Sequence, residues 1–185
     1  MKSRFILAGI AAVMALTTIA APVLAQAPEA PRTMTDSHIE RIKQNCRSAM
    51  RIIQHIHTND GPLRVNRGQV YDSLSSKLMT PLNSRLTMNK LDASDLVRLT
   101  AQYEKTLTDF RESYKTYDNQ MARVLTLDCV KQPVRFYDSV AEARQLRGTV
   151  HGHVVRLHEL IDEYEAAFGT FRTQLREGNA KGGDE

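Results

Sequence analysis

Between Tyr103 and Val124 the apolar residues fall at alternating intervals of four and three: Tyr103, Leu107, Phe110, Tyr114, Tyr117, Met121 and Val124. A mean interval of 3.5 residues places them in one stripe along an α-helix, the seam by which helices pack side by side. A second run (Val150, Val154, Leu157, Ile161, Tyr164, Phe168, Phe171, Leu175) keeps the same rhythm. Strands would need a period of two, and no such alternation occurs. The fold class predicted is therefore all-α: an elongated up-and-down bundle of about four long helices with coiled-coil-like seams.

Capping and turn residues divide the chain. Ser37-x-x-Glu40 is a capping box, and Ile39, Ile42, Cys46, Ala49, Ile53 and Ile56 follow it as the first seam. Asn59-Asp60-Gly61-Pro62 reads as the stop of that helix. A second helix is expected from Asn66-x-x-Gln69, carrying Val70, Leu74, Leu78, Leu82 and Leu86 to near Asp92. Pro81 lies inside it, so a kink or break at Thr80-Pro81 is expected. Asp92 serves as N-cap for the third helix, about 33 residues or roughly 50 Å long. Pro133 suits the first position of the fourth, where Phe136, Val140 and Ala143 form one seam. The phase slips before Val150, beside Gly148 and Gly152, and a bend is expected there.

The ends of the chain read differently. Lys2 and Arg4 precede an apolar run from Phe5 to Ala21, then Pro22 and Val23-Leu24-Ala25. This is the pattern of a secretory leader, residues 1–25, with Gln26 first in the mature chain. An uncleaved anchor is the competing reading, because the run approaches the roughly 20 residues a span needs. No other segment has that character, so no membrane span is expected after cleavage. Residues 26–35 read as a Pro-rich tether, 36–177 as the bundle domain, and the Gly-rich residues 178–185 as a disordered tail. Taking Lys2 and Arg4 from the 25 basic residues leaves 23 against 21 acidic, a net charge of +2. Without a basic stripe or interleaved aromatics, nucleic-acid binding is not expected.

Cys46 and Cys129 are the two cysteines. In an oxidising compartment an even count argues for a bridge, with two buried free thiols as the alternative. Given four helices, Cys129 meets Cys46 only if residues 59–68 climb back along the bundle as an extended segment. That places Arg64-Val65-Asn66-Arg67-Gly68-Gln69 in an ordered connection, and reduction should loosen it first. Within it, Arg64, Asn66 and Arg67 are the candidate contacts to a partner or anion, since guanidinium and amide groups suit carboxylate or phosphate; the competing role is helix capping.

Chemistry-bearing motifs are otherwise sparse. His38, His55, His57, His151, His153 and His158 raise a metal hypothesis. His55 and His57 point to different sides of a helix, as do His151 and His153, while His151 and His158 stand two turns apart. No HExxH, CxxC or GxSxG is present, and neither an enzyme nor a metal or cofactor site is expected. The aromatic stripes at seam spacing read as bundle core rather than as a binding surface.

Asn45-Cys46-Arg47-Ser48-Ala49-Met50, the stretch from Leu63 to Leu86, DFRESYKTYD from Asp109 and DCVKQPVRFYDSVAEAR from Asp128 resemble exported helical proteins of candidate-phylum, ultrasmall, host-attached bacteria. The similarity spans roughly residues 40–170. It implies export, helices and the cysteine pair, and it implies no activity. The expected role is a non-catalytic interaction or structural module at the cell envelope, periplasmic or extracellular, with a protein partner or a second copy of itself. A periplasmic chaperone or stress-type helical protein, which needs an exposed apolar concavity, and a histidine-based metal-binding protein are the alternatives.

Overall fold

The computed structural model describes residues 34–181, with side chains to residue 177. The leader, most of the tether and the last four residues lie outside the described residues. What is described is all helix and turn. The helices are α1 (Asp36–Ser73), a π-helical segment (Leu74–Met79), α2 (Thr80–Met88), α3 (Ser94–Thr126) and α4 (Pro133–Lys181). Because α1, the π segment and α2 follow without a gap, they form one rod, and the helical rods number three rather than four.

The expected stop at Asn59–Pro62 and restart at Asn66 are thus corrected: residues 59–68 are α-helical. Pro62 removes one backbone donor, an interior-helix cost of about 3 kcal/mol. Contacts to the other rods offset it. The Tyr117 hydroxyl donates to Asp60 Oδ2 at 2.6 Å, the Arg147 guanidinium lies 3.6 Å from Asp60 Oδ1, and Arg64 sits 4.8 Å from the centre of the Tyr114 ring. Pro62 and Thr58, whose carbonyl loses its partner, are both exposed, so the missing bond leaves no buried polar group unpaired.

Pro81 is likewise absorbed without a break. The Thr80 N–H bonds to the Ser75 carbonyl five residues back, a π-type closure. The wider turn relieves the clash of the proline ring with the carbonyl four residues earlier. It also matches the burial pattern, since buried Tyr71, Ser75, Met79 and Asn83 stand four apart, slower than the 3.6 of an α-helix. Glu104 accepts from Ser75 Oγ at 2.7 Å and Thr80 Oγ1 at 3.2 Å, tying this turn to α3.

Helix ends follow local chemistry, with shifts of one or two residues from the sequence reading. Thr35, not Ser37, caps α1; its carbonyl accepts the N–H groups of His38 and Ile39. The turn after α2 closes with Leu91 N–H on the Leu86 carbonyl and Lys90 at φ 58°. Asp92 Oδ1 accepts the Ser94 N–H at 3.1 Å at the start of α3. Pro133 opens α4, as expected. The α4 backbone continues to Lys181, past residue 178 where the tail was placed, because Phe168, Phe171 and Leu175 prolong its apolar face.

Cross-rod contacts give the direction of each rod. Between α1–α2 and α3, rising numbers meet falling ones: His57 with Asp118, Tyr71 with Phe110, Asn83 with Thr100. Between α1–α2 and α4 the numbers rise together: Asp60 with Arg147, Tyr71 with His158, Asn83 with Tyr164. The first rod and α4 are thus parallel to each other and antiparallel to α3. This topology brings Cys46 to Cys129 directly, with the disulfide closed at a Cα–Cα distance of 5.6 Å. No extended climb is needed, since Cys46 stands opposite the α3–α4 loop once α1 runs on to residue 73.

The core has two parts. One gathers Tyr71, Met79, Leu96, Leu99, Tyr103, Leu107, Phe110, Leu157, Leu160 and Tyr164; the other gathers Ile53, Tyr114, Tyr117, Met121, Val124, Cys129, Phe136 and Ala143. Between them is a polar waist. The α1 positions that face α3 there are His57, Asp60 and Arg64 instead of apolar residues. Arg147 fills the corresponding place on α4, four residues after Ala143 and three before Val150, and pairs with Asp60. The apparent phase shift in α4 is therefore one charged seam position, and the helix is uninterrupted through Gly148 and Gly152.

Candidate protein-binding groove

On the bridge side of the waist, an apolar groove of about 350 Å³ lies between α1 and α4. The α1 wall carries Ile42, Ala49, Ile52, Ile53 and Ile56, and the α4 wall carries Phe136, Tyr137, Val140 and Ala143. Tyr117, Met121 and Val124 of α3 form the floor. The α3 residues and the inner walls are buried beneath the groove: Val124 is 0% exposed, Phe136 5% and Ile53 9%. The lips are open, with Ile52 61% and Tyr137 50% exposed. Both lip residues stand beside a seam residue, Ile53 and Phe136, and so widen the apolar stripe beyond what one neighbouring helix covers. Arg144 and Arg147 complete the α4 side.

The disulfide holds the α1 wall in place. Upstream of Ile53 no α1 residue is fully buried; Ile42, Cys46, Ala49 and Met50 are partly covered against the bridge-side core. At the waist end of the groove, burial pushes the Tyr117 hydroxyl above its ordinary range, and its hydrogen bond to Asp60 adds to this. It therefore remains a neutral donor to the Asp60 carboxylate.

The sequence-predicted site residues are not brought together. Arg64 lies over the Tyr114 ring and lines a 590 Å³ depression between α1 and α3, which also contains Arg111, Lys115, Asp72, Glu112 and Asp118. Asn66 and Arg67 are exposed and line none of it. The depression holds three cations and three carboxylates, with Asp72 already on Arg111 and Asp118 on His57. It therefore has no net charge to select an anion. The Tyr114 hydroxyl is buried with no partner among the described residues, and burial, then Asp118 and Asp60, push it upward against the pull of Arg64.

Among the described residues no three His, Cys, Asp or Glu side chains converge as a metal site. His57 Nε2 faces Asp118 Oδ1 at 3.1 Å, His158 shares a hydrogen bond with the Tyr71 hydroxyl, and His55 contacts Asn59. Among the described residues no helix is long and apolar enough to cross a membrane. Sequence reasoning identified most groove residues as seam residues but missed Ile52 and Tyr137; the doublets Ile52-Ile53 and Phe136-Tyr137 were the available signal. No protein-family model, curated protein or solved structure matches this chain.

Proposed function

We propose that this chain is an exported, non-catalytic interaction module of the cell envelope, and that it engages a protein partner through the groove between α1 and α4. The observation that carries the reading is a pair of exposed apolar residues, Ile52 and Tyr137, on the two rims of one apolar crevice. Large apolar side chains held half exposed around a concavity are what a docking partner covers. The Cys46–Cys129 bridge supports work in an oxidising compartment, where such bonds persist. The leader read at residues 1–25 would deliver the chain there. Other exposed apolar residues, such as Leu63, Val70 and Met88, lie outside the groove. The exposed apolar residues are thus scattered rather than joined in the broad concave apolar surface that a chaperone needs.

A photo-crosslinking residue at position 52, 137 or 88 tests this in producing cells. One identified protein should be captured from both 52 and 137, and not from 88. Equal capture from all three positions, or none from the groove positions, would overturn the reading.

A further inference from the structure

We infer that the groove takes an amphipathic helix with carboxylates along one flank. This rests on the binding reading above and adds the chemistry of the occupant. The shape argues first. From Ile42 to Ile56 the α1 wall runs about 21 Å, close to four helical turns, at 1.5 Å per residue. The two walls are parallel helices and the floor is a third, so a helix laid between the walls completes a four-helix packing. Its residues at i, i+3, i+4 and i+7 would meet the exposed Ile52 and Tyr137 and the partly exposed Ile42, Ala49, Ile56 and Val140. An acyl chain would fit less well, because small ligands are mostly enclosed and the lips here stay open.

The charges argue second. Of the fourteen residues that line the groove, Arg144 and Arg147 are the charged ones, and both are cationic. They stand three apart on α4, one turn from each other on the same face. Arg147 has Asp60 at 3.6 Å as a loose partner, whereas among the described residues Arg144 has no carboxylate partner. Glu142, the nearest acid on α4, instead accepts from Gln120 Nε2 at 2.8 Å. The α1 wall offers no charge at all. An occupant with two carboxylates three or four residues apart, beside its apolar stripe, meets this pair. One with lysines there is repelled.

The probes are three synthetic helical peptides with one Leu/Ile stripe, flanked along one edge by Glu, Gln or Lys. Sodium palmitate is the fourth probe. Each is titrated against the disulfide-bonded chain as wild type, Arg144→Glu and Ile52→Glu, both exposed positions. The Glu peptide should bind about tenfold or more tighter than the Lys peptide at low salt, and the gap should narrow as salt screens it. Arg144→Glu should reverse the order, and Ile52→Glu should weaken all three peptides. Equal affinities for the Glu and Lys peptides, or no response to Arg144→Glu, overturn the acidic-helix inference; a retained Ile52→Glu effect would then leave the groove reading standing. Peptide binding that ignores Ile52→Glu overturns both. Palmitate binding without peptide binding overturns the inference in favour of an acyl ligand. A wild-type dimer that Ile52→Glu converts to monomer overturns it in favour of a second copy.

Discussion

Removing the Cys46–Cys129 bridge tests the architecture most directly. The cysteines are 83 residues apart in sequence. For a loop of that length the chain-entropy relation gives about 4.5 kcal/mol of lost constraint on the unfolded state. Unfolding about 150 residues carries an entropy near 0.3 kcal/mol/K, so the midpoint should fall by about 14 °C. The effect should also be local. The α1 arm before Ile53 has no fully buried residue of its own, so the bridge holds it down. The assay pairs thermal melting by circular dichroism of a Cys46→Ala/Cys129→Ala variant with hydrogen exchange over residues 36–56. We expect a midpoint drop of roughly 10–15 °C, with protection lost in that arm before α3 or the second half of α4. A drop under about 3 °C with unchanged exchange in the arm would refute the reasoning, because side-chain packing alone would then suffice. Loss of protection starting at residues 62–68 would instead revive the idea that the bridge braces that segment.

Asn83 donates to Thr100 Oγ1 and the Leu96 carbonyl and accepts from the Tyr164 hydroxyl. Asn83→Ala leaves the buried Tyr164 hydroxyl without its acceptor, whereas Thr100 keeps its bond to the Leu96 carbonyl, and urea melts should show a loss of about 1–3 kcal/mol. Pro81→Ala should leave the π turn in place, because burial of Tyr71, Ser75, Met79 and Asn83 at intervals of four sets it; a crystal structure with regular α-helix through residues 74–79 would contradict this. Burial first raises Tyr103, Tyr114, Tyr117 and Tyr164 above their usual value of 10. A raised folded pKa means that their contribution is complete below pH 10 and is lost as the pH rises through the folded values. Tyrosinate absorbance and helical circular dichroism should therefore change together above pH 10; independent titration with the helices intact would show the reasoning to be wrong.

The helical class and the length of α3 were legible because every seam position from Tyr103 to Val124 is apolar. The number of rods was not. At Asp60 and Arg147 the seam continues with charged residues, and each looks like an interruption when its helix is read alone. Only their pairing across α1 and α4 explains both. Asn59-Asp60-Gly61-Pro62 added a strong local turn signal, which tertiary contacts to Tyr117, Arg147 and Tyr114 override. Counting four helices also hid the candidate groove, since with four rods the apolar faces of α1 and α4 would be expected to cover each other, whereas Ile52 and Tyr137 are exposed. The cysteine pairing was readable from composition, but its geometry was not, since that depended on the same miscounted rod.

The two ends of the described structure solve the same problem in different ways. Far from the bridge, Asn83 links all three rods through α2, α3 and α4, beside a core that holds Tyr71, Met79, Leu96, Leu99 and Tyr164. At the bridge end, three rods cannot bury the widened stripes of α1 and α4, and helix propensity alone would not hold a lightly packed arm against the rest. The disulfide ties that arm to the α3–α4 loop. Between the ends, the pairing of Asp60 with Tyr117 and Arg147 fixes the register of the rods, because a slip along the helices would leave a largely buried carboxylate unpaired. A covalent tie at one end, a polar register at the waist and a hydrogen-bonded junction at the other end thus hold the three rods together.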